Sequence, residues 1–417
     1  MHPSASDAFP GFRPVPRTGV IYVMSEAARR GFHYGSKDWA NLGQGAPETG
    51  VLPGSPERVA RVDVSPASLE YAPVDGLREL REAVANLYNA RYRKGKASQY
   101  TADNVCISPG GRSALTRIAA SLGPVHLGHV LPDYTAYEEL LGVFRDFVPI
   151  PIPLHEADGF RLPVEALRER VVAMGLGAVL LSNPCNPTGH VVAGDELSRW
   201  VATMRELRCV LVLDEFYAHY VYDRDVPVSA AEYVEDVDHD PVVIVDGLTK
   251  NWRYPGWRLS WTVGPTSVIR GLASAGSFLD GGAPHPLQQA AIPLLEPAVA
   301  DAEAAAIRAC FRAKRALVVD RCRRMGLELP TPPEGAFYVF PGLGRLPPKL
   351  QDGLALFEAA LDRQVICVPG AFFDIDPGNR RSAFGSRLAS RVRLSFGPDV
   401  ETLTRGLDRL EALVTGG

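Results

Sequence analysis

Asp246-Gly-Leu-Thr-Lys250-Asn-Trp-Arg-Tyr-Pro-Gly-Trp-Arg258 is the stretch from which the rest of this chain can be read. It follows an uninterrupted apolar run, Val242-Val-Ile-Val245, whose pattern predicts a strand buried in a core. Lys250 therefore stands where a core strand ends and the chain turns, among Trp252, Tyr254 and Trp257. Desolvation and a second cation at Arg258 both favour the neutral amine there. A neutral amine in a cleft is a carbonyl nucleophile and a proton carrier, so the segment points to Schiff-base chemistry.

Similar short apolar runs recur on either side: Val105-Cys-Ile107, Phe147-Val-Pro-Ile150, Ala178-Val-Leu-Leu181, Cys209-Val-Leu-Val-Leu213 and Leu259-Ser-Trp-Thr-Val263. Several lack polar alternation, as strands buried on both faces of a mostly parallel sheet do. Helical stretches lie between them; Leu77, Leu80, Val84 and Leu87, for example, recur at helical spacing. The expected fold class is α/β, with a large domain whose mostly parallel sheet is flanked by helices and a small α+β domain built from both termini. Residues 1–45 read as an arm, with one short helix around Ser25 to Gly31, that also contributes to the small domain. Residues 46–305 read as the large domain and residues 306–417 as the small C-terminal one. Pro297 to about Arg324 is a helix long enough to connect the two, and the segment from about Gly326 to Val414 predicts two short strands and two helices. Phe372 to Ser390, broken by glycine and proline, reads as a surface loop.

Composition narrows the function. Among 417 residues, 44 basic and 48 acidic side chains are well mixed, giving a formal charge of −4 and none of the basic footprint of a nucleic-acid binder. The six cysteines are scattered without a CxxC pair, which favours buried free thiols in a reducing compartment over disulfides or zinc. The N-terminus has neither a charged leader nor an apolar core, and no apolar run approaches the ~20 residues of a membrane span. A soluble cytoplasmic protein, with no nucleic-acid or membrane partner, is expected.

Polar clusters follow three of the predicted strands, where open α/β sheets place ligands. Ser108-Pro-Gly-Gly-Arg-Ser-Ala-Leu115 lies between a strand and a helix and suits a phosphate. Asn183-Pro-Cys-Asn-Pro-Thr-Gly189 is a turn stiffened by two Asn-Pro steps, which fixes the direction of its amides. In Asp214-Glu-Phe-Tyr217 a carboxylate closes an apolar strand, and in low dielectric it needs a cationic partner such as a protonated pyridine nitrogen, or else serves as a helix cap. Near the C-terminus, Val392, Leu394 and Phe396 alternate with Arg393 and Ser395, so the arginine lies on the polar face of a strand and can hold a carboxylate by two hydrogen bonds.

In this order and at these spacings the clusters resemble the fold-type I pyridoxal-phosphate enzymes, specifically the class I/II aminotransferases. Asn186 precedes Asp214 by 28 residues, Tyr217 follows Asp214 by three and Lys250 follows it by 36. The resemblance extends from Asn41-Leu-Gly-Gln-Gly45 to Arg391-Val-Arg-Leu-Ser-Phe396. It implies pyridoxal 5′-phosphate as cofactor, joined to Lys250 as an internal aldimine, with Lys250 then shuttling the substrate proton. It implies Asp214 on the ring nitrogen, Asn186 and Tyr217 on the phenolate oxygen, and Tyr134 stacked on the ring face. Gly111, Arg112, Thr249 and Arg258 would hold the phosphate, with Tyr71 reaching it from the second copy of a homodimer. Arg393 and Gly45, with Asn186 beside them, would hold the substrate carboxylate, and Asn41 is a further candidate there. One departure stands out: many relatives carry Ser or Thr three residues before the lysine, where this chain has Gly247.

The activity implied is ping-pong transfer of an amino group from an L-amino acid to a 2-oxo acid. Elimination or cyclisation and decarboxylation share the same cofactor site and are the alternatives. A cofactor-sensing regulator would need a helix-turn-helix segment for which the 40 residues before Asn41 are too rich in proline and glycine. Dicarboxylate-specific relatives use an arginine from the neighbouring subunit, and the corresponding stretch here, Phe278-Leu-Asp-Gly-Gly-Ala-Pro-His285, has none. Asp280 would repel a distal carboxylate if it faced the site. A donor that is apolar, aromatic or cationic rather than dicarboxylic is therefore expected.

Overall fold

A computed structural model describes residues 11–12, 15, 19–379 and 385–416. The sequence readings on residues 1–10, on parts of the arm up to residue 18 and on residues 380–384 of the Phe372–Ser390 segment lie outside these. The strands are β1 (Ala40–Asn41), β2 (Val105–Ser108), β3 (His126–Leu131), β4 (Val148–Pro153), β5 (Leu176–Ser182), β6 (Val210–Asp214), β7 (Val242–Gly247), β8 (Ser260–Val263), β9 (Tyr338–Val339), β10 (Val365–Ile366), β11 (Val368–Pro369) and β12 (Val392–Ser395). The helices are α1 (Gly19–Arg29), α2 (Arg78–Tyr92), α3 (Gly111–Ser121), α4 (Tyr137–Val143), α5 (Val164–Met174), α6 (Asp195–Leu207), α7 (Thr266–Leu279), α8 (His285–Ala291), α9 (Pro297–Arg324), α10 (Gly353–Leu361) and α11 (Val400–Thr415).

The central sheet has the order β2-β8-β7-β6-β5-β3-β4. Only β8 runs against its neighbours, and the other adjacent pairs are parallel. Strand β7 is buried along its whole length, as are β2 and β8, because helices cover the sheet. Among these helices α3 packs on α7, and α5 on α6. The α/β class read from the apolar runs is the fold observed.

Four local readings need correction. Strand β3, between β5 and the edge strand β4, interrupts its apolar residues with Gly128 and His129, which hides it from a search for apolar runs. The glycine is demanded by packing, since a Cβ there would meet Leu176 and Ile152 at 2.8 and 2.9 Å. The segment after residue 326 holds four short strands rather than two; three of them are only two residues long, below any periodicity signal. The Phe372–Ser390 segment is no simple surface loop, because Phe373 and Ile375 are completely buried. In the arm, α1 starts well before Ser25, at Gly19.

The two ends of the chain meet. Strand β1 pairs in parallel with β10, and β12 lies between β11 and β9. Helix α9 runs without a break through residue 305, where the sequence reading placed a boundary.

Gly247 has a steric cause. In the β7–β8 pair it faces Ser260, and a Cβ would lie 2.6 Å from the Ser260 Cα and 2.7 Å from the Leu259 carbonyl oxygen. A side chain bearing a hydroxyl has no room here beside β8. Gly247→Ser is therefore expected to lower stability by about 1–3 kcal/mol through overpacking. Thermal melting of the cofactor-free protein checks this; an unchanged melting temperature would refute it.

Candidate active site

Strands β5, β6 and β7 end in register, with Ser182 beside Asp214 and Asp214 beside Val245. The turns that follow them therefore open on one edge of the sheet, where parallel sheets bind ligands. A cavity of about 310 Å³ lies there. Its walls bring together Gly45, Gly111, Arg112, Tyr134, Asn186, Asp214, Tyr217, Thr249, Lys250, Arg258 and Arg393. Two predicted residues do not join them: Tyr71, which is 95% exposed, and Asn41.

At one end of the cavity, α3 begins at Gly111 after Gly110, whose φ of 93° favours glycine. A Cβ on Gly110 would lie 2.2 Å from an Nη of Arg258, so the glycine lets the guanidinium rest against the helix N-terminus. The Thr249 hydroxyl is buried without a hydrogen-bond partner among the described residues. Burial, and then the nearby Arg112, depress the Arg258 pKa, which marks a site of positive potential. Backbone N–H groups, a guanidinium and an idle hydroxyl fit a phosphate.

At the centre, Asp214 accepts a hydrogen bond from the Tyr137 hydroxyl at 2.9 Å. Burial raises its pKa to about 6, opposed by that bond, by the Phe216 N–H and by the charge on Lys250. A cationic ring nitrogen placed against it would restore the ionised form. Asn186 gives its Oδ1 to Arg393, 2.8 Å away, which leaves its Nδ2 as the donor for another acceptor. Arg393 also donates to the Gly43 carbonyl at 2.5 Å, while its buried Nε has no partner among the described residues.

Lys250 donates to the Gly45 carbonyl. Its pKa falls to about 7, first by burial and then by Arg393, Arg258 and Arg112. Of the cations, Arg393 contributes more than the Arg258 expected from the sequence. The backbone around the lysine is tied down. Tyr220 donates its hydroxyl to the Lys250 carbonyl, and the Asn251 amide donates to Asp246 at 2.7 Å and to the Glu215 carbonyl at 3.0 Å. His219 adds a hydrogen bond from its N–H to the Asn251 side chain and a contact from its Nδ1 to the Asn251 carbonyl. The neutral amine fraction grows as pH rises through the pKa. Capture of pyridoxal phosphate by the cofactor-free protein should therefore accelerate with pH and level off above about pH 7. Stopped-flow absorbance would show this, and a midpoint near that of an exposed lysine would contradict it.

Several residues of this site escaped the sequence reading. Tyr137 lies in a segment quoted only for Tyr134. Asp133 is buried, accepts hydrogen bonds from Ser182 and from the Tyr134 N–H, and so ties the tyrosine loop to the turn carrying Asn186. Phe216 packs where a Cβ on Gly111 would be. Tyr338 arrives from a two-residue strand with no periodic signal. Asn41 points its Oδ1 at the N–H groups of Gly43 and Gln44, shaping the loop rather than lining the cavity.

The model of the family "Aminotransferase class I and II" matches residues 37–410. The chain belongs to that family. This aminotransferase is 30% identical over 362 residues to a probable aspartate/prephenate aminotransferase of Thermus aquaticus, covering 85% of this chain and 87% of that one. It is also 30% identical over 352 residues to a probable N-acetyl-LL-diaminopimelate aminotransferase of Bacillus subtilis, covering 82% and 81%. An aminotransferase structure from Mycobacterium tuberculosis superposes with a TM-score of 0.78 at 26% identity, covering 97% of this chain and 98% of that one. The enzyme is thus an aminotransferase of the aspartate-aminotransferase fold with pyridoxal 5′-phosphate as cofactor. Among the described residues, no helix is long and apolar enough to cross a membrane.

Proposed function

We propose that this aminotransferase moves the amino group of an L-amino acid to a 2-oxo acid in two alternating half-reactions, with Lys250 as the proton carrier. The observation that carries this reading is a lysine with a pKa near 7 standing in one cavity between Asp214 and Arg393. Bound pyridoxal phosphate supplies the electron sink for the pair left at the donor Cα. Asp214 would keep the ring nitrogen protonated, and the Asn186 Nδ2 and Tyr217 hydroxyl would hold the phenolate oxygen. The N–H groups of Gly111 and Arg112, with Thr249 and Arg258, would hold the phosphate, and Tyr134 would cover the ring face. Arg393, with the Gly45 loop and Asn186, would fix the donor carboxylate so that its Cα proton faces Lys250. Incubating the yellow holoenzyme with single amino acids tests the reading. Transamination bleaches it stoichiometrically and releases the 2-oxo acid, whereas release of ammonia or carbon dioxide with the colour restored would refute it.

A non-dicarboxylic donor is the first reading of specificity, carried by the lack of arginine between Phe278 and His285. Its other support falls away, because the Asp280 carboxylate is held by the buried Arg117 at 2.5 and 3.0 Å, away from the cavity. A dicarboxylic donor is the second reading, favoured by Arg112. Its guanidinium lines the cavity and is hydrogen-bonded, among the described residues, only to the Tyr134 hydroxyl. Under the first reading, phenylalanine, leucine or lysine bleaches the enzyme faster than aspartate, and Arg112→Leu changes little. Under the second, aspartate is fastest and Arg112→Leu slows it about 10- to 100-fold, the worth of one charged hydrogen bond.

A homodimer completes the reading. Exposed Leu69, Tyr71 and Phe278 are apolar surface suited to a second copy, and Tyr71 would reach that copy's phosphate. The buried free thiols of Cys106, Cys209, Cys322 and Cys367 suit a reducing cytoplasm. Light scattering that gives the mass of one chain would refute the dimer.

A further inference from the structure

Tyr338 has no part in the roles assigned above, yet it lines the same cavity as Tyr217, Lys250 and Arg393. It lies in β9, opposite Ser395 of β12, which brings it beside Arg393. The guanidinium carbon of Arg393 is 4.3 Å from its ring centre. Its hydroxyl oxygen is 2.7 Å from that of Tyr217, and both rings are buried. A Cβ on Gly45 would lie 2.4 Å from the same oxygen, so the glycine of the substrate loop leaves the hydroxyl its place.

Two phenol oxygens 2.7 Å apart need a proton between them, and each phenol has one to give. In the unloaded cavity either tyrosine can be the donor. Once Tyr217 turns its proton toward an acceptor in the cavity, only Tyr338 can fill the contact. We propose that Tyr338 is a positioning residue: by donating to Tyr217 it fixes the Tyr217 proton on the cofactor's phenolate oxygen, and so lowers the proton affinity of the Lys250–cofactor linkage. The proposal rests on the role given to Tyr217 under the proposed function. Hydrogen bonds in line polarise one another, so the Tyr338 bond makes Tyr217 a stronger donor. A better-stabilised phenolate holds the neighbouring linkage proton less tightly.

The test is a spectrophotometric pH titration of the bound cofactor in the parent holoenzyme, Tyr338→Phe, Tyr217→Phe and the double variant. Tyr338→Phe should raise the midpoint by about 0.4–1 pH unit, the size of one hydrogen bond on this scale. Tyr217→Phe should raise it further, and adding Tyr338→Phe to that variant should have no added effect. A Tyr338→Phe midpoint equal to the parent's overturns the proposal, as does an equal Tyr338→Phe shift with and without Tyr217. If Tyr217→Phe itself leaves the midpoint unmoved, the role given to Tyr217 is wrong and the proposal falls with it. A shift in Tyr217→Phe alone sinks only the proposal.

Discussion

Lys250→Ala is expected to abolish net transamination while the protein stays folded. Under the proposed function, the substitution removes the group that both binds the cofactor covalently and carries the proton. Loss of general acid–base catalysis alone costs about 10²- to 10⁴-fold, and loss of the covalent step adds to it. The fold should tolerate the change because the turn is held by groups other than the ammonium, namely Tyr220 on the Lys250 carbonyl and the contacts of Asn251. Removing a desolvated amine also relieves a burial cost. Two measurements check this together: release of 2-oxo acid, which should vanish, and thermal melting without cofactor, which should be unchanged or slightly higher. Retention of the yellow lysine-linked absorbance by the variant would remove Lys250 from its role.

Arg393→Ala should lower kcat/KM for amino acids by about 10²-fold or more, since hydrogen bonds between charged partners are worth about 1.5–3 kcal/mol each. A carboxylate arriving at Arg393 finds the buried Nε unpartnered and competes with Asn186 and Gly43 for the other two nitrogens. A readout specific to carboxylate binding separates this from structural damage. The parent should prefer an amino acid over the corresponding amine without its carboxylate, and the variant should lose that preference. A variant that keeps the preference would show that another group holds the carboxylate. Arg393→Lys should not restore the parent rate, because an ammonium lacks the planar pair of donors.

The parts of this enzyme that were legible in the sequence are those where one stretch of chain carries its own signal. Buried runs such as Val242–Val245 announce strands because both faces must be apolar. Asp214, Asn186 and Lys250 stand out because polar groups that end such runs need a reason to be there. Tyr338 and Tyr137 carry no such mark; their roles come from contacts with residues 121 and 77 positions away. Asp280 looked like a device of substrate selection because its partner, Arg117, is 163 residues away and sequence spacing does not reveal it. Gly247 looked like a weakened phosphate cup, and its cause, the approach of Ser260 across β7 and β8, is likewise a property of pairing rather than of order.

The ties around Asn251 have a consequence for how the lysine can move. The side-chain amide of Asn251 is held by the carbonyl of Glu215 and by Asp246, and its backbone carbonyl meets His219, all near the ends of the same strands that shape the cavity floor. Under the proposed function, the movement of the amine between cofactor and substrate therefore falls to the four-carbon side chain, swinging on a fixed pivot. Rotations of that kind take picoseconds to nanoseconds, far faster than backbone rearrangement. An enzyme built this way resets its lysine after each half-reaction without remaking its floor.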